Sequence, residues 1–211
     1  MAEQRIAHRK KRMEQARTPS QQRSWQRRDE ILKTTAALLE RVGFDDLTTI
    51  LIAGEMGISV GTLYHYFPNK QSILYALGER WLEQQTAALD SIAAKPLEDM
   101  DVEGFIDLAF KHLLVSYREQ RGLLPLVQAM WAVPELRDLD DRHDEVIISQ
   151  LEHMYQRIGL PHSKLERRRR ARVMLEMVHA LFLTVVEQTP AQSKRTFEDV
   201  KALGVVLLRR P

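Results

Sequence analysis

Cysteine is absent from this sequence of 211 residues. Its absence excludes disulfide bonds and thiolate metal ligands, and it fits a reducing compartment. No apolar run reaches the roughly 18 residues that a membrane-spanning helix needs. The basic N-terminal stretch also lacks the apolar core of a secretory signal peptide. We therefore expect a cytoplasmic protein with no membrane partner.

Motifs of catalysis and cofactor binding are missing as well. The seven histidines do not follow a metal-binding spacing, and there is no HExxH, GxGxxG, P-loop or GxSxG motif. Asp and Glu are numerous, but no catalytic motif positions any of them. His112 and His179 lie on otherwise apolar helix faces, where a histidine satisfied within the core is more common than a ligand. We expect no enzymatic activity, no cofactor and no metal site.

Positive charge is concentrated at one end of the chain. Residues 1–28 contain nine Lys and Arg against two Glu, whereas the remainder is acidic and the whole chain carries a net charge of +2. This asymmetry indicates that one end meets a polyanion. We interpret residues 1–24 as a flexible arm with two possible roles that stay open. It either keeps the protein soluble or adds contacts to DNA phosphates or to the minor groove.

Hydrophobic residues make up 44% of the sequence, and they recur with a helical period along the whole chain. No strand alternation and no internal repeat is evident. We predict an all-α fold of about nine helices, with one domain at residues 25–72 and a larger one at 73–211. Besides two short helices described next, helices are expected at 25–42, 70–93, 102–120, 123–132, 135–158, 171–186 and 197–208.

The stretch from Thr48 to Lys70 has the layout of a helix-turn-helix. Thr48 and Ser59 are suited to cap two successive helices, because each hydroxyl can accept a hydrogen bond from a free amide of the first turn. Gly57 lies where the chain must turn with a positive φ. Ala53 and Leu63 give the two helices a small shared core. The pattern predicts a second helix available to enter a DNA major groove.

This second helix contains no Lys, Arg, Asp or Glu. Sequence specificity must then come from hydroxyl, ring and methyl groups and from close backbone approach at glycine. The residues in question are Val60, Gly61, Thr62, Tyr64 and His65. Lys70 follows the expected N-cap Asn69, where an ammonium and the helix amides can share one phosphate. Core packing is the expected role of Phe67.

The run LTTILIAGEMGISVGTLYHYFPNKQSIL resembles the DNA-binding signature of the TetR family of bacterial regulators, and the likeness covers about residues 28–78. It implies a three-helix DNA-binding domain at 25–72. One departure is that Ile50 and Leu51 are apolar where the family usually has polar residues. In the family, residues at the positions of Val60, Gly61 and Tyr64 commonly meet bases, and those of Thr49, His65, Tyr66 and Lys70 meet phosphates. The full predicted set is Thr48, Thr49, Ser59, Val60, Gly61, Thr62, Tyr64, His65, Tyr66 and Lys70.

The resemblance also implies that residues 73–211 bind a ligand and form a homodimer through the last two helices, packed as a four-helix bundle. Candidate interface residues are Met174, Val178, Leu181, Phe182, Val185, Val200, Leu203 and Leu207. Candidate walls of a pocket for a small hydrophobic ligand are Phe105, Phe110, His112, Tyr117, Met130, Trp131, Met154, Tyr155, Met174, Met177, His179 and Phe182. Filling of the core is the competing role for each of them.

Two charged segments are interpreted as surface features. The acidic cluster from Asp138 to Glu145 is expected to form a solvated face. The run Arg167–Arg170 is expected to be solvated too, with an anion site as its alternative.

The leading expectation is a sequence-specific transcriptional repressor that a small hydrophobic ligand releases from a palindromic operator. The alternative is a DNA-bound structural or interaction protein on the nucleoid that has no small-molecule inducer. A large apolar cavity in the C-terminal domain would favour the first, and a filled core would favour the second.

Overall fold

The computed structural model describes residues 19–130 and 133–209, and within these ranges it contains nine α-helices and no strand. The helices are α1 (Pro19–Val42), α2 (Thr49–Glu55), α3 (Val60–Tyr66), α4 (Lys70–Ala93), α5 (Val102–Glu119), α6 (Leu124–Ala129), α7 (Pro134–Arg157), α8 (Lys164–Glu187) and α9 (Pro190–Arg209). A short 3₁₀ helix at Arg121–Leu123 precedes α6. The predicted all-α class is confirmed.

Three helices begin earlier than their apolar patterns indicated. Helix α1 begins at Pro19 rather than 25, α8 at Lys164 rather than 171, and α9 at Pro190 rather than 197. The added first turns are polar, so the apolar period marks only the part of each helix that faces the core. Ser163 caps α8 by accepting a hydrogen bond from the amide of Glu166, and proline is favoured at a first helical position. Most of the predicted 1–24 arm lies outside the described residues.

The chain divides between Ile73 and Leu74 into two compact units, and the division falls inside α4. We call them the N-terminal unit and the C-terminal unit. In the N-terminal unit, α1 buries the predicted residues Ile31, Leu38 and Leu39, which have almost no exposed surface. Helices α1, α2 and α3 each contact the other two. This packing holds the two short helices, α2 and α3, in place.

An aromatic cluster fills the centre of the C-terminal unit. The fully buried ring of Phe182 lies 5.5 Å from Phe110 and 5.4 Å from Tyr117, measured between ring centroids and in edge-to-face geometry. Helix α9 approaches this cluster at Gly204, where an added Cβ would lie 3.0 Å from Phe110 Cζ. Such edge-to-face pairs stabilise a core beyond the area they bury. Gly204 is therefore required for the close contact of α9 with α5.

Two of the four arginines at the start of α8, Arg167 and Arg170, are not solvated, which corrects the sequence interpretation at these positions. Arg170 is only 1% exposed, and its Nη1 donates to the carbonyl oxygens of Leu207, at 2.5 Å, and Leu208, at 3.4 Å. Arg167 forms a half-buried ion pair with Glu152 at 2.8 Å. The Arg170 guanidinium satisfies carbonyls that the end of α9 leaves without helical partners. Both side chains thus hold helices together and are not available as an anion site.

None of the described helices is long and apolar enough to cross a membrane.

Two glycines near the turn provide a matched test of the local backbone. Gly57 has φ +64°, a conformation that costs an L-residue about 1–2 kcal/mol. Gly54 is helical, and nothing lies within 4 Å of an added Cβ. We expect Gly57→Ala to lower the free energy of unfolding by about 1 kcal/mol and Gly54→Ala to raise it by about 0.5–1 kcal/mol. Urea denaturation at one fixed protein concentration measures both, and equal effects of the two changes would contradict the assignment of the turn.

Candidate DNA-binding surface and ligand cavity

Local capping fixes the ends of α2 and α3 as the sequence predicted. Thr48 Oγ1 accepts a hydrogen bond from the amide of Leu51 at 3.1 Å, and Ser59 Oγ accepts one from the amide of Thr62 at 3.0 Å. Between the caps, Gly57 makes the turn with φ +64°. The Asn69 side chain accepts from the amide of Ser72 at 2.8 Å at the start of α4. The two short helices therefore have defined bounds on both sides of the turn.

The solvent-facing side of α3 carries most of the predicted DNA-contact residues. Ser59, Gly61, Thr62, Tyr64 and His65 are exposed. Val60 and Tyr66 are half-buried, and Leu63 is the residue that this helix buries. The buried side of α3 thus packs against the rest of the N-terminal unit. A row of hydroxyl, imidazole and backbone groups on the other side stays accessible to solvent.

Hydroxyl groups on α2 and α3 are linked to one another. The Tyr64 hydroxyl lies 3.2 Å from Thr49 Oγ1, and Thr62 Oγ1 lies 2.9 Å from Ser59 Oγ. Tyr64 is 46% exposed, so its ring and hydroxyl remain open to solvent. Each hydroxyl can both donate and accept. The links restrict side-chain motion and leave hydrogen-bonding capacity for a partner.

Two cations hold the ends of α3 and α4 against α1 and the loop after it. Arg28 Nη1 donates to the carbonyl oxygen of Tyr66 at 2.6 Å, and its guanidinium lies 4.2 Å from the centroid of the Phe67 ring. Lys70 Nζ donates to the carbonyl of Phe44 at 3.3 Å. Phe67 is buried as predicted. Arg28 lies in the third turn of α1, which begins at Pro19.

One apolar residue on the outer face of α2 is largely exposed to solvent. Ile50 is 72% exposed, whereas Leu51 is half-buried. At the end of the same helix, Glu55 forms a bidentate ion pair with Arg41 of α1, with distances of 2.8 and 3.1 Å. The polar atoms that α2 offers near α3 are therefore those of Thr48 and Thr49.

The C-terminal unit contains a cavity of about 60 Å³, part of which opens to solvent. Helices α4, α5, α7 and α8 form its walls, and most of the wall is apolar. Six of the predicted pocket residues line it, namely Phe105, Phe110, Tyr117, Tyr155, Met174 and His179. This volume is smaller than that of typical small-molecule sites, so a bound molecule of ordinary size requires the wall side chains to move apart.

Five of the other predicted wall residues lie elsewhere, which corrects that part of the prediction. Met130, Met154 and Phe182 are buried in the core and do not line the cavity. His112 is on another face of α5, where its Nδ1 contacts the carbonyl of Leu108 at 2.9 Å. Met177 is half-buried outside the cavity. Trp131 lies outside the described residues.

Helix α4 and the acidic part of α7 supply wall residues that the sequence analysis missed. Trp81 and Gln85 come from α4, and Asp140, His143 and Asp144 come from α7. Asp140 is largely buried and Asp144 half-buried, so the interpretation of Asp138–Glu145 as a solvated face is wrong at these two positions. Their i, i+4 spacing places both carboxyl groups on one face of α7, which was the available signal.

The electrostatics of the cavity are dominated by these carboxyl groups. Burial, the neighbouring Asp140 and Glu176 raise the pKa of Asp144 to about 7, against a smaller opposing effect of Arg172. Burial, with the nearby Asp140 and Asp144, raises the pKa of the Tyr117 hydroxyl. Burial lowers the pKa of both His143 and His179. The described wall is thus acidic at one place and otherwise neutral or apolar.

Five predicted interface residues are buried inside one chain. They are Met174, Val178, Phe182, Val185 and Val200. A side chain with almost no exposed surface in a single chain is not available to contact a second chain. The apolar period of a helix does not distinguish residues buried within one chain from residues buried between two chains. Leu203 is 51% exposed, and Leu181 and Leu207 are half-buried. Val206 and Val173 add exposed apolar surface on α9 and α8 that the prediction omitted.

Within the described ranges, no group of three or more His, Asp or Glu side chains has an arrangement that could hold a metal ion.

Comparison with known proteins agrees with this architecture. Residues 31–77 match the family model described as bacterial regulatory proteins, tetR family, and residues 101–207 match the tetracyclin repressor-like C-terminal domain. The second match alone covers half of the chain. The chain belongs to the TetR family, and it is a DNA-binding transcriptional regulator rather than an enzyme.

Individual relatives are similar at moderate identity. The chain is 28% identical over 159 residues to the HTH-type transcriptional regulator BetI of Stenotrophomonas maltophilia, covering 74% of this chain and 80% of that one. It is 30% identical over 148 residues to the nucleoid occlusion factor SlmA of Aliivibrio fischeri, covering 69% of each. A TetR-family regulator from Marinobacter aquaeolei has a similar fold, with TM-score 0.68, 19% identity, and coverage of 87% and 91%.

The raised pKa of Asp144 predicts a pH-dependent cost to stability. Between about pH 4 and pH 7 the folded chain retains a proton that an unfolded aspartate has released, so stability falls as pH rises through this window. We expect Asp144→Asn to raise the free energy of unfolding by about 1 kcal/mol at pH 8, since half-exposure screens the effect, and by little at pH 4. Denaturation at both pH values measures this.

The matched control is Asp141→Asn, which changes an exposed carboxylate on the same helix. It should alter stability much less than Asp144→Asn at pH 8. Equal gains from both variants, or a gain from Asp144→Asn that does not depend on pH, would contradict the assignment.

Proposed function

We propose that this regulator binds an inverted-repeat operator as a homodimer and that a small molecule in the C-terminal cavity releases it. The observation that carries the DNA-binding part is the exposed side of α3, where the hydroxyls of Tyr64 and Thr62 are anchored by Thr49 and Ser59. The cytoplasm is the expected location. The likeness to SlmA is compatible with the structural alternative, whereas the mostly apolar cavity, although small, supports ligand control.

Base recognition by α3 depends on neutral groups. The helix has no formally charged side chain, so base edges are read by the Tyr64 hydroxyl and ring, Thr62, His65 and the methyls of Val60, while Gly61 permits close approach. Thr48, Thr49, Ser59 and Tyr66 provide hydroxyl or amide donors to phosphates. The Lys70 ammonium donates one hydrogen bond to the carbonyl of Phe44 and has further N–H donors. With these it adds a charge-assisted contact to a phosphate. Specificity then rests on a few hydrogen bonds, and affinity depends on phosphate contacts and salt.

The operator and the role of Tyr64 can be tested together. Selection from random duplex DNA should recover an inverted repeat whose half-sites are about 34–36 Å apart or more, as two-fold symmetry requires. On that operator, Tyr64→Ala should weaken binding by about 1–3 kcal/mol, and Tyr64→Phe, which keeps the ring, should cause part of that loss. Titration by fluorescence anisotropy at fixed salt measures each Kd.

Non-specific duplex is the internal control, and both variants should bind it almost as the parent does. Selection that yields no inverted repeat, or an operator Kd that both variants leave unchanged, would contradict the proposal.

The homodimer is supported by apolar surface on the last two helices. Leu203 and Val206 of α9 are exposed, and so is Val173 of α8, while Leu181 and Leu207 are half-buried. Exposed aliphatic side chains on two adjacent helices are costly in a monomer and typical of an interface. Pairing the same face on two copies gives the two-fold arrangement that an inverted repeat requires.

A charge placed on this surface should dissociate the dimer. Val206→Glu buries an unpaired carboxylate if α9 lies at the interface, so we expect monomers at micromolar concentration. Sedimentation equilibrium measures the mass, and circular dichroism checks that the chain remains helical. Val115→Glu is the matched control, because Val115 is an equally exposed valine on α5. A folded Val206→Glu dimer with unchanged affinity would place the interface elsewhere.

Ligand control is supported by the cavity rather than by any single residue. A concave site with mostly apolar walls and a few polar groups is suited to a small organic molecule. Release from DNA follows if the ligand binds the DNA-free protein more tightly than the DNA-bound protein. The hydrophobic character expected from the sequence describes most of the wall but not its acidic part.

A further inference from the structure

The helix-turn-helix carries few of the side chains that distinguish bases through paired hydrogen bonds. In the major groove, Arg and Lys pair with guanine, Asn and Gln with adenine, and Asp and Glu with cytosine. Of these residue types, only Glu55 occurs between Thr48 and Tyr66. Both of its carboxylate oxygens accept hydrogen bonds from Arg41, at 2.8 and 3.1 Å. The two helices therefore read bases without this part of the recognition code.

The thymine methyl group is the base feature that such a surface can still distinguish clearly. Hydroxyl groups of Ser and Thr pair with several bases, so they discriminate weakly. The 5-methyl group of thymine is apolar, and it favours contact with an aliphatic side chain. Contact between the two apolar groups removes both from water and stabilises the complex. An aliphatic side chain at this surface would thus favour thymine over a base without the methyl group.

Ile50 is an aliphatic residue that α2 exposes to solvent. Its side chain is 72% exposed, whereas Ile52 and Ala53 of the same helix are buried. The packing of α2 onto the rest of the N-terminal unit therefore does not depend on Ile50. A contact outside the chain is the role left for this side chain.

The position of Ile50 connects it with the exposed row of groups on α3. The Oγ1 atom of its neighbour Thr49 lies 3.2 Å from the Tyr64 hydroxyl, so the first turn of α2 is next to the exposed ring of Tyr64. The Cα–Cβ bonds of a helix tilt towards its N-terminus, and the Ile50 side chain leans towards this turn. Single exposed aliphatic residues are common on protein surfaces, but this one adjoins the surface that reads DNA.

We infer that Ile50 is a further specificity-determining residue, whose side chain packs against the 5-methyl group of a thymine in the major groove of the operator. This contact adds to those of α3, where Val60 offers a second, half-buried aliphatic group. The inference rests on the proposed function, because it names the base feature that the same surface recognises.

Deoxyuridine tests the inference, because it pairs with adenine as thymidine does and lacks only the 5-methyl group. Each thymidine of the DNA sequence recovered by selection is replaced singly by deoxyuridine, and fluorescence anisotropy at fixed salt gives each Kd. We expect at least one replacement to raise the Kd about fourfold, the effect of losing one buried methyl group. Replacements in the flanking duplex are the control and should leave the Kd unchanged.

Combining the base replacement with a side-chain change assigns that methyl group to Ile50. The Ile50→Ala variant should bind the thymidine and deoxyuridine duplexes with equal Kd values, because the partner of the methyl group is gone. Ile50→Val, which keeps a shorter branched side chain, should retain part of the preference. Leu165→Ala is the matched control, since Leu165 is an 81% exposed aliphatic residue of the C-terminal unit. It should retain the full preference for thymidine.

A Kd that no deoxyuridine replacement changes, or a thymidine preference that Ile50→Ala retains in full, would overturn the inference. Either result on a selected inverted repeat leaves the proposed function standing. A selected sequence that is not an inverted repeat contradicts the proposed function, and the replacement scan on that sequence still tests Ile50. Selection that recovers no preferred sequence overturns both.

Discussion

The packing of two seven-residue helices onto α1 is the interaction on which the DNA-binding surface depends. Helices of this length are not stable alone in water, so α2 and α3 keep their shape through burial of Ile52 and Leu63 and through their capped ends. Arg28 adds a long-range contact by donating to the last carbonyl of α3. Because these contacts lie on the buried side, the exposed side of α3 is free to present neutral hydrogen-bonding groups.

In the C-terminal unit, by contrast, part of the cavity wall contributes less to stability than a filled apolar core would. The raised pKa of Asp144 reduces stability, and so does the buried hydroxyl of Tyr155, which has no hydrogen-bond partner among the residues that the structure describes. Proteins commonly retain such groups where binding requires them. The compact aromatic cluster around Phe182 compensates by holding the surrounding helices together. The buried Arg170 of α8 does the same by donating to a carbonyl at the end of α9.

Features set by neighbouring residues could be predicted from the sequence, and features set by distant contacts could not. The caps at Thr48 and Ser59, the turn at Gly57 and the bounds of α4 depend on a few adjacent positions. The contact of Arg28 with Tyr66 and the entry of Asp140 and Asp144 into the cavity depend on which faces of helices meet. Apolar period located the buried stripe of α8, but it could not tell a core residue such as Phe182 from an interface residue.

If a ligand in the cavity weakens DNA binding, DNA must weaken binding of that ligand by the same factor. Measuring both effects therefore gives the most direct test of the proposed coupling between the cavity and the DNA-binding surface. The Kd of the operator is measured with and without a saturating amount of a small organic probe that screening has shown to bind in the C-terminal cavity. The Kd of that probe is then measured with and without saturating operator. We expect both constants to rise by the same factor, about 5–150-fold. A probe that binds in the cavity with a Kd that operator DNA leaves unchanged would contradict the proposed coupling.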